Sequence, residues 1–200
     1  MIPPVSRETE AKLRHYIALL EKWQKAINLV SPKTIPQAWE RHILDSLQLA
    51  SFIAENRIVF DFGSGAGFPG MVLAIARPDL KITLFESDNR KCSFMQAVSR
   101  ETQTPVTVIN HRIETLPATE IPDAITARAL ASLKDLLSLS LPYAQLNSKL
   151  ILLFLKGGQV GQEINEAKAL YDFSHRLFPS ETDIEGRILS LESLCIKGQL

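Results

Sequence analysis

Ile58-Val59-Phe60-Asp61-Phe62-Gly63-Ser64-Gly65-Ala66-Gly67-Phe68-Pro69-Gly70 is the stretch that decides the architecture. Its apolar start, Ile58-Val59-Phe60, reads as a buried strand, and a helical pattern follows through Met71, Val72, Leu73 and Ile75. Strand, glycine turn and helix in that order let a nucleotide-like ligand lie against bare backbone. Side chains at Gly63, Gly65 and Gly67 would block that approach. Four glycines within eight residues are too many for a plain turn, because each loses extra conformational entropy on folding. The loop predicts a site for a nucleoside-containing cofactor.

Two cofactors compete for it. From Gly65 the loop spells G-A-G-F-P-G, which satisfies the dinucleotide pattern, and Glu86 lies about where a ribose-binding acid belongs. On that pattern an NAD-binding module stays open. Asp61 argues for S-adenosylmethionine (SAM) instead. A carboxylate at the strand end would repel a pyrophosphate, whereas SAM carries a sulfonium and an ammonium that it attracts. An acid ahead of a triple G-x-G-x-G is also the usual methyltransferase loop. The alternating strand Lys81-Ile82-Thr83-Leu84-Phe85-Glu86 ends in an acid suited to gripping two ribose hydroxyls, which fits either cofactor. Nothing downstream resembles hydride-transfer machinery. Asp61 also reads as a plain neighbour of a helix N-cap.

Two hundred residues, 46% apolar and 22% charged, make one globular unit the default. The opening residues lack an apolar core for a signal peptide, and the longest apolar run, Leu150 to Leu155, is too short to span a bilayer. Cys92 and Cys195 are too few for a disulfide framework, so a cytoplasmic protein with reduced thiols is expected. No Cys/His cluster has metal-ligand spacing, so no metal is expected. The formal net charge of zero argues mildly against a nucleic-acid binder. Local clustering still offers a basic face: Arg57, Arg77, Arg90, Lys91, Arg100, Arg112 and Arg128 all fall in the cofactor half.

Residues 7 to about 29 predict an amphipathic helix, and a second runs through Trp39, Ile43, Leu47, Ala50 and Phe52. With no strand before residue 56, residues 1–56 read as a helical cap and 57–200 as the cofactor domain. Strands are expected at 58–62, 81–86, 105–109, 123–127 and 149–155, with helices at 68–76, 89–101, 132–144 and 160–170. Ser174 to Phe178 and Arg187 to Leu191 alternate around a Glu185-Gly186 turn and predict a terminal antiparallel pair. The fold class is therefore α/β: a Rossmann-like, SAM-dependent class I methyltransferase fold. Its seven-stranded sheet is mostly parallel and closes on an antiparallel hairpin.

Methyl transfer from a sulfonium is an in-line displacement in which the enzyme aligns the reactants and excludes water. The Asn/Asp-Pro-Pro-Tyr box of exocyclic-amine methylation should follow the fourth strand, but that place reads Thr126-Ala127-Arg128-Ala129. Neither cysteine stands where cytosine C5 methylation needs its nucleophile. A nucleophile with a free lone pair fits what remains, and guanine N7 is one.

Several pieces, in order and with compatible spacing, carry a resemblance. They are Trp23 with Ile27-Asn28-Leu29, His42-Ile43-Leu44-Asp45-Ser46-Leu47, Asp61 to Gly70, Leu84-Phe85-Glu86-Ser87, Arg112-Ile113-Glu114, Thr126-Ala127-Arg128-Ala129 and Lys156-Gly157. Over nearly its whole length the chain resembles the bacterial small-subunit ribosomal RNA methyltransferase G family, also called glucose-inhibited division protein B. Gln24 departs from the Asn that usually follows the tryptophan. The resemblance implies SAM-dependent N7 methylation of one guanine near the decoding centre of the 16S ribosomal RNA. The small ribosomal subunit or its RNA is the implied partner of a monomeric enzyme. It also implies that Gly63 and Phe68 line the SAM site, that Ile113 and Glu114 border the adenine, and that Arg128 reaches the methionine side or the reaction centre. Together with the loop reading, the expected cofactor set is Asp61, Gly63, Gly65, Gly67, Phe68, Glu86, Ile113, Glu114 and Arg128, with Arg128 also the catalytic candidate. Lys156, Arg90 and Lys91 are the RNA-facing candidates, Lys156 reading equally as part of the crevice rim. Glu114 reads equally as a helix cap, His42 reads as a structural residue, and Asp45 is equally open. A small-molecule methyltransferase on the same fold is the alternative that zero net charge keeps open.

Overall fold

The computed structural model describes residues 2–115 and 120–198. Its sheet has seven strands: β1 (Ile58–Phe62), β2 (Lys81–Glu86), β3 (Thr107–Asn110), β4 (Ala124–Arg128), β5 (Ile151–Lys156), β6 (Tyr171–Pro179) and β7 (Arg187–Ile196). They lie in the order β3-β2-β1-β4-β5-β7-β6. The first five are parallel, and β7 pairs antiparallel with both β5 and β6. Strand order across the sheet reverses between β1 and β4. The crevice at the carboxyl ends of those two strands is where ligands of doubly wound sheets sit.

Among the described residues six α-helices surround the sheet: α1 (Arg7–Gln24), α2 (Asp45–Leu47), α3 (Gly70–Ala76), α4 (Asn89–Glu101), α5 (Leu133–Leu146) and α6 (Val160–Ala167). Three of them start on side-chain caps. Ser6, Asp88 and Ser132 accept the first free N–H groups of α1, α4 and α5, an exchange worth about 1 kcal/mol each. On one face, Leu13, Tyr16 and Leu20 of α1 join Met71, Val72 and Leu73 of α3 and Phe94 and Met95 of α4 in a single core. On the other, Phe60, Phe62 and Phe85 of the sheet meet Leu133, Leu136 and Leu137 of α5 and Ile164 of α6. Buried on both faces, the central strands read as near-continuous apolar runs.

Two departures from the sequence pattern occur in the N-terminal part. The first helix ends at Gln24, short of residue 29, because the Gln24 side chain takes over the backbone groups of the next turn. Its Oε1 accepts from the N–H groups of Leu29 (2.9 Å) and Val30 (3.0 Å), and its Nε2 donates to the Val30 carbonyl (2.8 Å). The second helix is irregular: a wide π turn (Trp39–Leu44), the single α turn α2 and a 3-10 turn (Gln48–Phe52). The Asp45 N–H bonds to the carbonyls of Glu40 and His42 and passes over Arg41, whose carbonyl accepts instead from Arg128 Nη1 at 2.9 Å. A wide turn of this kind commonly marks a functional position. Arg77, just past α3, fixes the end of this segment by donating to the carbonyls of Ala50, Ile53 and Ala54 while pairing with Asp79.

Candidate active site

A cavity of about 1110 Å³ opens at the carboxyl ends of β1, β2 and β4, at the upper end of the range for ligand pockets. Gly63, Gly65, Phe68, Glu86, Ile113, Glu114 and Arg128 all line it, as do Lys91 and Lys156. Asp61 and Gly67 lie beneath its floor, and Arg90 stands outside, pairing at the surface with Asp88.

The floor is the glycine loop. Ser64 anchors it by donating its N–H to the Phe85 carbonyl (2.9 Å) and its hydroxyl to the Asp61 carbonyl (3.0 Å). Gly65 (φ +58°) faces open space, since a Cβ there would meet nothing nearer than the Gly63 carbonyl at 3.9 Å. Gly67 (φ +95°) packs the other way: a Cβ would come within 2.7 Å of the Tyr16 hydroxyl. That hydroxyl donates to the Ala66 carbonyl, so α1 reaches across and holds the loop directly. Phe68 stacks with Tyr16 (5.2 Å between centroids) and with His42 (4.9 Å), and the Arg128 guanidinium lies 4.9 Å from its ring centroid.

Glu86 ends β2 with both oxygens facing backbone donors: Oε2 accepts from Gly65 N–H (2.9 Å) and Oε1 from Asp88 N–H (2.8 Å). Each oxygen keeps a lone pair, the arrangement that two adjacent hydroxyls can share. Asp61 is fully buried under the loop. Its Oδ1 accepts from the Thr126 hydroxyl at 2.7 Å, and its Oδ2 has no hydrogen-bond partner among the described residues. A Cβ at Gly70 would sit 2.8 Å from that Oδ2, so only glycine leaves the carboxylate room. Burial pushes the Asp61 carboxyl up to about 6, against hydrogen bonds and Arg128 pulling it down.

Arg128 ends β4. Its Nη1 serves the Arg41 carbonyl and Asp45 Oδ2 (3.4 Å); its Nε and Nη2 have no partner among the described residues. Asp45 is a junction, its Oδ1 accepting from Thr182 (3.0 Å) and Gln48 (3.2 Å). His42 is pushed down to about 4, first by burial and then by Arg128 and Arg41. Thr34 Oγ1 spends its proton on the Ser31 carbonyl (2.8 Å), so His42 Nε2 is the donor in their 2.9 Å contact. Lys156 is nearly buried, paired with Glu163 at 2.6 Å and donating to the Ala131 carbonyl.

The remaining wall escaped sequence reasoning. Ser180, Thr182 and Asp183 come from the β6–β7 turn, Arg187 from the start of β7 and Arg41 from the wide turn. Leu130 covers Gly63 after a left-handed Ala129 (φ +52°). No motif announces these residues; only the partners of Asp45 and Arg41, far off in the chain, bring them in.

The model of the rRNA small subunit methyltransferase G family matches residues 9–183. The chain belongs to that family. Its curated relatives include the ribosomal RNA small subunit methyltransferase G of Gluconobacter oxydans, 48% identical over 94% of this chain and 95% of that protein. The enzyme of the same name from Paramagnetospirillum magneticum is 47% identical over 95% and 91%. Among solved structures, a ribosomal protein L11 methylase from Lactobacillus delbrueckii superposes with TM-score 0.59 at 13% identity, covering 75% of this chain and 77% of that one. A TehB-like SAM-dependent methyltransferase from Corynebacterium glutamicum gives 0.57 at 11%, over 90% and 99%. At such identities the likeness is one of fold, and the fold is that of class I methyltransferases.

The family's cofactor is SAM, and the residues in the cavity fit it. Glu86 offers lone pairs to a diol, and Gly65 bares backbone. Asp61 places negative charge under the floor, hostile to a pyrophosphate. Among the described residues no group of His, Cys, Asp and Glu side chains could hold a metal ion, and no helix is long and apolar enough to cross a membrane.

Proposed function

We propose that this enzyme transfers a methyl group from SAM to N7 of a single guanine in small-subunit ribosomal RNA, near the decoding centre. When bound, SAM supplies an electrophilic methyl group on a sulfonium. Glu86 holds the ribose, Ile113 and Glu114 flank the adenine, and the Asp61 charge favours the cationic methionine end. Arg128, with Nε and Nη2 unspent, meets the methionine carboxylate or the base at the reacting end.

The observation that carries the N7 reading is the occupation of the acids and bases beside Arg128. Asp45 is engaged by Arg128, Gln48 and Thr182, and His42 is too weak a base to keep a proton at neutral pH. A nucleophile that had to lose a proton would find only the buried Nδ1 of His42, a weak base with no hydrogen-bond partner among the described residues. Guanine N7 presents its lone pair without deprotonation, so alignment and exclusion of water suffice.

The test is nucleoside analysis by mass spectrometry of small-subunit rRNA from cells with and without the gene. Loss of one 7-methylguanosine on deletion, restored by the wild-type gene, supports the reading. Unchanged 7-methylguanosine overturns it and shifts weight to a small-molecule substrate.

A further inference from the structure

Ile184 is 93% exposed, while the next most exposed large apolar side chain among the described residues, Leu146, reaches 53%. Scattered exposed apolar residues are common on protein surfaces, but this one stands on a turn held from both sides. Asp183 accepts from Arg41 Nη1 (2.8 Å) and from the Glu185 N–H (3.1 Å). Arg187 Nη1 donates to the Ile184 carbonyl (2.9 Å), and the Gly186 N–H to the Asp183 carbonyl (2.9 Å). Thr182 and Ser180 are tied to Asp45 and Gln48. The backbone is fixed while the side chain it carries is bare.

Its position gives that bareness a use. Asp183 and Gly186, on either side of Ile184, line the candidate active site, and Ile184 itself borders a smaller hollow with Gly158 and Arg187. A base modified inside a protein pocket has to leave its stack, and the major groove of an RNA helix, where guanine N7 lies, is too narrow for side chains to enter. Proteins that open a stack insert apolar wedges, isoleucine among them, between neighbouring bases. An aliphatic side chain standing rigidly on the rim of the pocket that receives the base is placed for that step.

We propose that Ile184 is an RNA wedge: it enters the stack vacated by the target guanine and holds the base in the cavity. The inference rests on the ribosomal RNA reading above. Ile184 is not among the residues that line the candidate active site, so it acts by positioning the substrate.

The experiment compares wild type, Ile184→Ser and Ile184→Leu on small ribosomal subunits from cells lacking the gene. It follows methyl transfer, SAM affinity by calorimetry, and the chemical-probe reactivity of the bases flanking the target guanine with enzyme bound. Ile184→Ser is expected to lose about tenfold in kcat/KM, the scale of one buried apolar side chain. Ile184→Leu should stay within about twofold, since it keeps the apolar bulk. SAM affinity should be the same in all three. Wild type and Ile184→Leu should raise the reactivity of the flanking bases, and Ile184→Ser should not. Full activity in Ile184→Ser, or an equal loss in both variants, overturns the wedge. A loss in Ile184→Ser with flanking bases still reactive also overturns it and points to contact with a ribosomal protein. If wild type transfers no methyl to the subunits, the ribosomal RNA reading has failed first, and the wedge with it.

Discussion

Replacing Asp61 by asparagine should stabilise the cofactor-free protein and weaken SAM binding. The buried carboxyl moves from an ordinary 3.8 to about 6, a gap worth about 3 kcal/mol once the group is ionised. The sign follows from the direction of that move. The folded state binds the proton more tightly than the unfolded chain, so the proton's contribution is complete below about pH 4 and is lost as pH rises through about 6. At neutral pH the wild type carries the full penalty of an ionised carboxylate whose Oδ2 has no partner. The amide of the Asp61→Asn variant removes that penalty but exchanges a charged acceptor for a neutral one at Thr126 and leaves its NH2 a buried donor without an acceptor, together giving back about 2 kcal/mol. The net gain is about 1 kcal/mol, or about 2–4 °C in Tm for a chain of this size. His42, held near 4, gives stability that is complete above its ordinary 6.5 and is lost as pH falls toward 4. That slope opposes the one from Asp61 but is common to both proteins, so it cancels in their difference. Urea melts of both proteins from pH 4 to 8 should therefore diverge between about pH 4 and 6 and run parallel above 7. Calorimetry with SAM should show at least a tenfold weaker Kd for the variant. A variant less stable than wild type at pH 7.5, or a difference that does not vary with pH, would rule out a buried charge at Asp61 as the cause.

Glu86→Gln leaves one amide oxygen where two carboxylate oxygens now serve Gly65 and Asp88; SAM affinity should fall roughly tenfold to a hundredfold by calorimetry. Arg128→Lys keeps the charge but loses the planar fork between the Arg41 carbonyl, Asp45 and the Phe68 ring. Stopped-time methylation assays should show kcat down at least tenfold with the fold intact by circular dichroism. Arg77→Met strands the carbonyls of Ala50 and Ile53 and should cost about 3 kcal/mol in urea melts, with kcat per folded molecule unchanged. Arg77 also holds the Asp79 carboxyl down to about 2; the stability from that pair is complete above about pH 4 and disappears as pH falls toward 2, a loss the Arg77→Met protein should no longer show.

Much of the fold was legible because its signals are local. The burial of β1 is written in its own apolar residues, and β1 and β2 both fall on the expected residues, as does α4 behind its Asp88 cap. The antiparallel end showed in the alternation on either side of Gly186. The N-terminal part was harder. Periodicity carries past Gln24 because Ile27 still faces the core, yet a side chain satisfying the next turn ends the helix. No pattern predicts the wide turn at Arg41, because its cause, a guanidinium from β4, lies far away in sequence. The same divide runs through the site. Residues on the glycine loop and at the ends of β2 and β4 follow from spacing. The opposite wall, built by the β6–β7 turn through Asp45, Gln48 and Arg41, follows only from tertiary contacts. Asp61 shows both sides: its strand-end position was readable, while its depth beneath the loop depends on the missing Cβ of Gly70.

The most direct test of the central claim is tritiated methyl transfer from SAM to purified small ribosomal subunits that lack the modification, with the label located by cleavage at N7-methylguanine. Close to one methyl per subunit is expected, all of it at one guanine, and none when Arg128→Ala enzyme replaces wild type. Label spread over many positions, label on another atom, or no label from an enzyme that binds SAM would contradict it.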